Sequence, residues 1–479
     1  MAGVKRNFIY LSLYKVLEML LPMITSPLLS RKLGADALGI YTYTYSIASV
    51  FVMFAELGVY RYGMREIAKV RDDKSKLNQI YSDIYSTHLF CGGVVFVIYI
   101  LFVIISVKNN VIIYIIQAGC LISNMLDNAF FYVGIEDVKT LSLRDALIKI
   151  CTFILIIVVI KSPEDLVIYT TIMVISSIIG KFIALIYARK YVRMVKPNVS
   201  ACVNHLKPMA VLMVPALAAV IYQSMDRIMI GRFYNNADVG YYDCASKALI
   251  PKNIITALGT VLCPGIAKAY AEGKRNQVNE TFKTSMRVSV IMSLAFMFGI
   301  SAIAKEFAPF FWGKDFSICS KYMIGLSISL PVWCVGEVIR NQYLLPCGKD
   351  NEYMFAFLIG VVVNAILNLI LIPITGATGA IIATICAELV MSAVQAYFIR
   401  KEILIKKILV TIIPYFLIGC FMLFVVRNIA KILTFMPIIC IVIEVIVGAS
   451  LFTLLSFIYE IKSQHKCFIL LFDKMVMKR

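Results

Sequence analysis

Charged residues are scarce in this sequence, 16% of 479 positions against 61% hydrophobic, where an ordinary soluble domain carries about a quarter charged and half apolar residues. Water is therefore not the solvent for most of the chain. Histidine is rarer still, at 3 residues. The 13 cysteines include no CxxC pair and have no histidine partner at metal-ligand spacing, so the sequence patterns of a metal centre are missing. Cys91, Cys120, Cys151, Cys386, Cys420 and Cys440 fall inside apolar segments and read as small buried apolar residues. A GxxxxGK[ST] loop is absent, so ATP is not the expected energy source. No gap between the apolar runs is long enough to hold a soluble domain.

What is present is a succession of apolar runs of about 20 residues, each long enough to cross a bilayer as a helix. They start near residues 8, 38, 80, 111, 143, 164, 207, 238, 282, 318, 352, 376, 407 and 432, which predicts an all-α polytopic membrane protein of about 14 transmembrane helices. The net charge of +19 does not point to nucleic acid, because the basic residues cluster between the runs and read as topological. If the N-terminus is cytoplasmic, about 30 Lys and Arg fall on cytoplasmic segments and about 10 on the outer side. The inner set includes Lys5, Arg6, Arg65 to Lys76, Lys149, Arg189 to Lys207, Lys268 to Arg287 and the tail, and the outer set includes Arg31, Lys108, Arg232, Lys305 and Lys431. This alternation predicts an even number of spans with both termini in the cytoplasm. The first run contains Lys15, Glu18 and two prolines and is too long for a signal-peptide core, so an uncleaved first span is expected.

Carriers are often built from repeated halves, and the sequence carries an echo of one. RKLGADALGIY at Arg31 and RFYNNADVGYY at Arg232 share the spacing of Arg, Gly and Tyr; GIED at Gly134 and GKD at Gly348 each precede a fifth span; ARK ending at Lys190 matches IRK ending at Lys401. The expectation is two six-helix lobes around a central cavity, residues 1–205 and 206–401, followed by two further helices and a basic tail at 402–479.

An ionisable side chain at the bilayer centre costs about 2.5 to 3.5 kcal/mol on insertion scales, so each should be paired or face a polar cavity. Lys15 with Glu18, Asp243 with Lys247, and Glu337 with Arg340 stand three or four apart, within reach on one helix face. Glu56, Arg61, Asp127, Lys181, Asp226, Arg227, Lys252, Glu388 and Glu444 have no obvious local partner. Glu388 with Ser392 and Gln395, and Asn364 with Asn368, extend into polar stripes. A local pair such as Asp243 and Lys247 reads equally as a neutralised bridge that orients two helices, whereas Glu18, Asp127, Asp226, Arg227 and Arg340 are favoured as cavity lining. Arg61, Lys181 and Lys252 have stems long enough to snorkel to the interface. Glu444, in an appended helix, reads as structural or lipid-facing. The Tyr41, Tyr43 and Tyr45 run reads as an interfacial belt rather than a sugar-stacking platform.

Four stretches carry a family resemblance: PMITSPLLSRKLGADALGIYTYTYSIASVF, ELGVYRYGMREIAKVRDDK, FFYVGIEDVKTLSLRD and MDRIMIGRFYNNADVGYYDCASK. Together they resemble bacterial polysaccharide repeat-unit flippases of the multidrug/oligosaccharidyl-lipid/polysaccharide exporter superfamily, over roughly the first 400 residues. The family usually has an uncharged residue where Arg61 stands. The resemblance implies a cargo of undecaprenyl-pyrophosphate-linked oligosaccharide for O-antigen, capsule or exopolysaccharide, moved by alternating access in the bacterial cytoplasmic membrane. On that footing Lys15, Arg227, Lys247 and Arg340 are expected to hold the pyrophosphate. Glu18, Asp127, Asp226 and Glu388 are expected to couple transport to a proton or sodium gradient, as an antiporter would, with no bound cofactor. The expected partners are the lipid-linked oligosaccharide and membrane lipids, with a glycan polymerase and a chain-length regulator in the same assembly line. A multidrug exporter and a lipid II flippase of the same superfamily are the nearest alternatives. A glycan polymerase is disfavoured, because the longest outer loop, around Lys305 to Lys321, is short and has no histidine; no catalytic site is expected.

Overall fold

Hydrocarbon offers no partner for a backbone N–H or C=O, so a chain this apolar must satisfy its peptide groups within each segment, as helices do. The computed structural model describes residues 2–403, 405–433 and 435–463, and every regular element among them is helical. In order these are α1 (Ala2–Glu56), α2 (Val59–Val70), α3 (Lys74–Ser106), α4 (Val111–Met125), α5 (Ala129–Gly134), α6 (Val138–Val159), α7 (Leu166–Ala188), α8 (Val199–Phe233), α9 (Asn236–Ser246), α10 (Lys252–Ala271), α11 (Arg275–Trp312), α12 (Cys319–Ile339), α13 (Asp350–Thr375), α14 (Ala377–Ile399), α15 (Ile405–Val410), α16 (Ile413–Ile432) and α17 (Pro437–Ser463).

Twelve of the described helical segments are long and apolar enough to cross a membrane. One of them holds two passes, because α1 breaks at Gly34, whose φ of 78° and ψ of 175° lie outside the helical region. Adding α6, which carries Arg144, Asp145 and Lys149, brings the passes to about 14, as the run lengths require. The eighth pass is itself broken: α9 gives way to a tight turn at Lys247–Leu249, and α10 resumes after Pro251. Proline has no N–H to donate and clashes with the preceding turn, which accounts for the break.

By packing, the chain divides into two compact units, residues 1–240 and 241–479. In the first, α1 packs against α3, α4, α6 and α8, and α4 against α7. The short helix α2 is amphipathic rather than spanning. Its Val59, Tyr62, Gly63 and Ile67 are buried against α5, while Arg61, Arg65 and Lys69 are exposed. The Tyr62 hydroxyl lies 2.7 Å from His205 Nδ1 and ties α2 to the start of α8. Closest of all is the approach of α1 to the chain after α8: a Cβ added at Gly39 would stand 1.7 Å from the Asn236 carbonyl oxygen. Only glycine, with no Cβ, lets two backbones meet there.

In the second unit α11, α12, α13 and α14 pack together, and α16 and α17 both lie on α11. Phe282, Phe298, Ile339, Tyr343 and Tyr415 are among the residues of its main apolar core. Below α12 the helix widens into a π-turn at Arg340–Leu344, a form that concentrates at functional sites. The appended helix α16 is tied to α11 by an ion pair, Arg427 Nη1 to Glu306 Oε2 at 2.6 Å. Glu444 in α17 is only 1% exposed, which excludes the lipid-facing alternative for it. Of the apolar-segment cysteines only Cys440 is buried, and Cys151 and Cys420 are exposed; a small apolar side chain is as acceptable to lipid as to a core.

Candidate functional site: charged cavities within the helical units

The first unit contains a cavity of about 540 Å³ between α1, α6 and α7. Pro22 lines it, and Pro22 and Pro27 both lie inside α1, where each removes an N–H from the helix ladder. Glu18 Oε1 accepts from Lys149 Nζ at 2.8 Å and from the Tyr14 hydroxyl at 3.5 Å. The Lys149 ammonium also lies 4.9 Å from the centre of the Tyr14 ring, a cation–π distance. The charged partner of Glu18, Lys149, is thus on another helix, 131 positions away; the side chain of Lys15, the local partner expected from spacing, lies outside the described residues. Lys149, counted by charge alternation among the residues of the cytoplasmic side, stands near the middle of α6 and pairs within the bundle. Its place was legible only in the RDALIK spacing, where Asp145 and Lys149 open the apolar run one helical turn apart.

A second cavity, of about 350 Å³, lies beside the α4–α5 junction and is lined by Glu56, His88, Asp127 and Lys181 among others. Asp127 breaks the backbone there: its Oδ1 accepts the Ala129 N–H at 2.8 Å, the bond that starts α5. Its Oδ2 accepts from Lys181 Nζ at 2.5 Å. Lys181 therefore does not snorkel away; it finds the carboxylate at the α4–α5 junction, and it lines both cavities. His88 Nε2 donates to the Asn124 carbonyl at 2.8 Å. Of the predicted ion-coupling residues, Glu18 and Asp127 are thus brought to cavities with a common wall.

Asp226 and Arg227 stand on α8, also in the first unit. Asp226 is 7% exposed, while Arg227 is partly exposed and donates from Nη1 to the Gln223 carbonyl at 2.8 Å. Ser224 on the same helix meets Ser49 of α1, their hydroxyls 3.3 Å apart.

The second unit has a polar cluster of its own. Glu337 Oε1 accepts from Asn341 Nδ2 at 2.7 Å and from Thr256 Oγ1 at 3.1 Å, and its Oε2 bonds Arg340. Arg340 also faces the Tyr353 ring at 5.6 Å. The local Glu337–Arg340 pair is formed, as is Asp243–Lys247 at 3.0 Å. Lys252 sits 5.0 Å from the Trp333 ring, within electrostatic reach of Glu388 and Glu337, so the predicted Arg340 and Glu388 share a neighbourhood with Lys252, whose stem is also long enough to snorkel. Nearby, Ser392 Oγ donates to the Val332 carbonyl at 2.9 Å. On α13, Asn368 Nδ2 donates to Asn364 Oδ1 at 3.1 Å, both side chains buried.

A fold of some fourteen membrane-crossing helices with ion pairs and polar cavities inside its helix bundles defines a polytopic membrane carrier. The chain belongs to the family of polysaccharide biosynthesis proteins, whose pattern matches residues 4–270. It is 21% identical over 404 residues to a putative O-antigen transporter of Shigella dysenteriae, covering 81% of this chain and 98% of that protein. A probable low-salt glycan biosynthesis flippase of Haloferax volcanii, Agl15, is 26% identical over 194 residues, and the chain spans 41% of its length. In structure the chain resembles the lipid II flippase MurJ in an inward closed conformation, with a TM-score of 0.78 at 16% identity, over 96% of this chain and 100% of that one.

Proposed function

We propose that this protein is a flippase that carries undecaprenyl-pyrophosphate-linked oligosaccharide repeat units across the bacterial cytoplasmic membrane by alternating access, driven by a proton or sodium gradient. The observation that carries the proposal is the pair of bundle-internal ion bridges, Glu18–Lys149 and Asp127–Lys181, on cavities inside a membrane-spanning unit. Charges are expensive in hydrocarbon and are kept where they line a path or exchange an ion. Each sugar hydroxyl costs several kcal/mol, of order 4–8 on an alkane scale, to move unpaired into hydrocarbon, so a polar path through protein removes a barrier that lipid alone cannot. The kinship to proteins named for O-antigen transport and glycan flipping supports the choice of cargo.

Within this proposal Lys15, Arg227, Lys247 and Arg340 bind the pyrophosphate, and Glu18, Asp127, Asp226 and Glu388 take up and release the coupling ion. Carboxylate–ammonium pairs suit that role, since a proton or sodium ion arriving at the carboxylate frees the lysine. The chain performs no covalent chemistry. Its three-part division at 1–205, 206–401 and 402–479, its cytoplasmic termini and its cooperation with a polymerase and chain-length regulator belong to the same proposal. Reporter fusions at residues 70, 200 and 275 are expected to report cytoplasm, and a fusion near 108 the outer side.

The deciding experiment reconstitutes the protein in vesicles with a lipid-linked oligosaccharide and follows its appearance in the opposite leaflet under imposed ion gradients. Transfer above that of empty vesicles, with Arg227→Ala weakening head-group binding and Asp226→Asn altering gradient dependence, is the expected result. Transfer equal to that of empty vesicles would overturn the assignment.

A further inference from the structure

One cavity of the first unit plays no part in the ion bridges. It measures about 760 Å³ and is bounded by the second half of α1, the α3–α4 loop, the start of α4 and the end of α8. That volume lies in the range of about 300–1,000 Å³ usual for small-molecule sites.

Its floor is aromatic. Phe51 packs edge-on to Tyr99 at 5.1 Å and lies 5.5 Å from Phe102. Tyr43 lies directly on the backbone of α8: a Cβ added at Gly231 would meet its ring at 2.4 Å. Tyr114 is buried beside them, its carbonyl accepting the Tyr99 hydroxyl at 3.0 Å.

The rim differs in kind from the floor. Lys108 and Arg232 supply two cations, Asn109, Asn110 and Asn236 supply amides, and no carboxylate among the described residues lines the cavity. Arg232 is within electrostatic reach of the Tyr114 hydroxyl, and both line the cavity. Asn110 is held at φ 56° and ψ 29°, a left-handed conformation that asparagine tolerates better than most residues and that fixes the turn into α4.

Aromatic faces receive the weakly positive C–H faces of a pyranose ring. Asparagine amides both donate to and accept from ring hydroxyls. Arginine and lysine bind carboxylate or phosphate through charge-assisted hydrogen bonds. A site with all three and no acidic side chain selects a sugar that bears negative charge. The basic-residue alternation places Lys108 and Arg232 on the outer side.

We infer that this cavity is an outward-facing binding site for an acidic sugar unit, one carrying a carboxylate or phosphate, of the glycan delivered across the membrane. The inference deepens the flippase proposal and rests on it for the origin of the glycan. Tyr43 is then a sugar platform and not part of an interfacial belt.

The test titrates purified protein in phosphatidylcholine nanodiscs with a galacturonic acid trisaccharide and with a neutral galactose trisaccharide. The acidic sugar is expected to bind at least about tenfold tighter, and K108Q/R232Q to erase that preference. Tyr43→Ala is expected to weaken both sugars. Lys161→Gln, which lies outside the cavity, serves as the control and should match the unaltered protein. Lys108→Gln alone, on the exposed loop, keeps the question open to measurement if the double variant does not fold. Equal binding of the two trisaccharides, no binding of either, or binding indifferent to Lys108 and Arg232 overturns the site. Loss of trisaccharide binding in phosphatidylglycerol nanodiscs assigns the cavity to lipid head groups and also overturns it. Vesicle transport separates the two proposals: transport without trisaccharide binding removes the site and leaves the flippase, and trisaccharide binding without transport does the reverse.

Discussion

The ammonium of Lys181 lies 2.5 Å from the Asp127 carboxylate, and the same lysine lines the cavity that holds Glu18. One side chain of α7 thus borders both acidic cavities.

Lys181→Met removes the cation and leaves Asp127 uncompensated. Breaking a fully buried pair costs about 3–5 kcal/mol, and less is expected here because the two side chains retain 26% and 29% of their exposure. A drop of several degrees in the melting temperature of detergent-solubilised protein is expected, with most of it restored in K181M/D127N. A double variant as unstable as the single one would remove the pair from the list of stabilising contacts.

Glu18→Gln keeps an acceptor for Lys149 and Tyr14 but cannot titrate. Transfer of lipid-linked oligosaccharide in vesicles is expected to continue at a reduced rate and to lose its response to an imposed proton or sodium gradient. An undiminished gradient response in this variant excludes Glu18 from coupling.

Gly39→Ala drives a methyl group into the Asn236 backbone, where the nearest atoms are main chain and no side chain can rotate away. Loss of folded, monodisperse protein is expected. Gly265→Ala in α10 is the counterpart: nothing lies within 4 Å of its Cβ position, and alanine is favoured over glycine in a helix by about 1 kcal/mol. Thermal melts of the two variants should move in opposite directions.

Glu402 reports on acid stability. Burial pushes its carboxyl up, but hydrogen bonds from Lys349 and from the Tyr343 hydroxyl at 2.5 Å outweigh burial and hold it below the usual carboxylate range. A group with a depressed folded pKa contributes stability that is complete above its unfolded value, about 4.3 for glutamate, and is lost as pH falls through the folded value. Glu402→Gln should therefore lower the melting temperature at pH 7 and match the unaltered protein at the acid end of the range. A constant difference across pH would mean that the contribution is packing alone.

The sequence by itself determined the solvent, the element type and the number of passes. Apolar runs of bilayer length leave a backbone no choice but the helix, and the break at Gly34 falls between the first two runs, whereas the break before Pro251 lies inside the run that starts near 238 and appears only in the structure. Local pairs were legible for the same reason: Asp243–Lys247 and Glu337–Arg340 lie a turn apart, and helix geometry alone brings them together. Tertiary structure decided the pairs that cross between helices. Lys149 joins Glu18 from 131 positions away and Lys181 joins Asp127 from 54, distances over which no periodicity carries information. Each lysine had a cheaper reading in sequence, as a loop charge or a snorkelling stem. The packing of α6 against α1 and of α7 against α4 brings each lysine to a half-buried carboxylate, because a carboxylate among membrane helices needs a cation more than a lysine needs the interface.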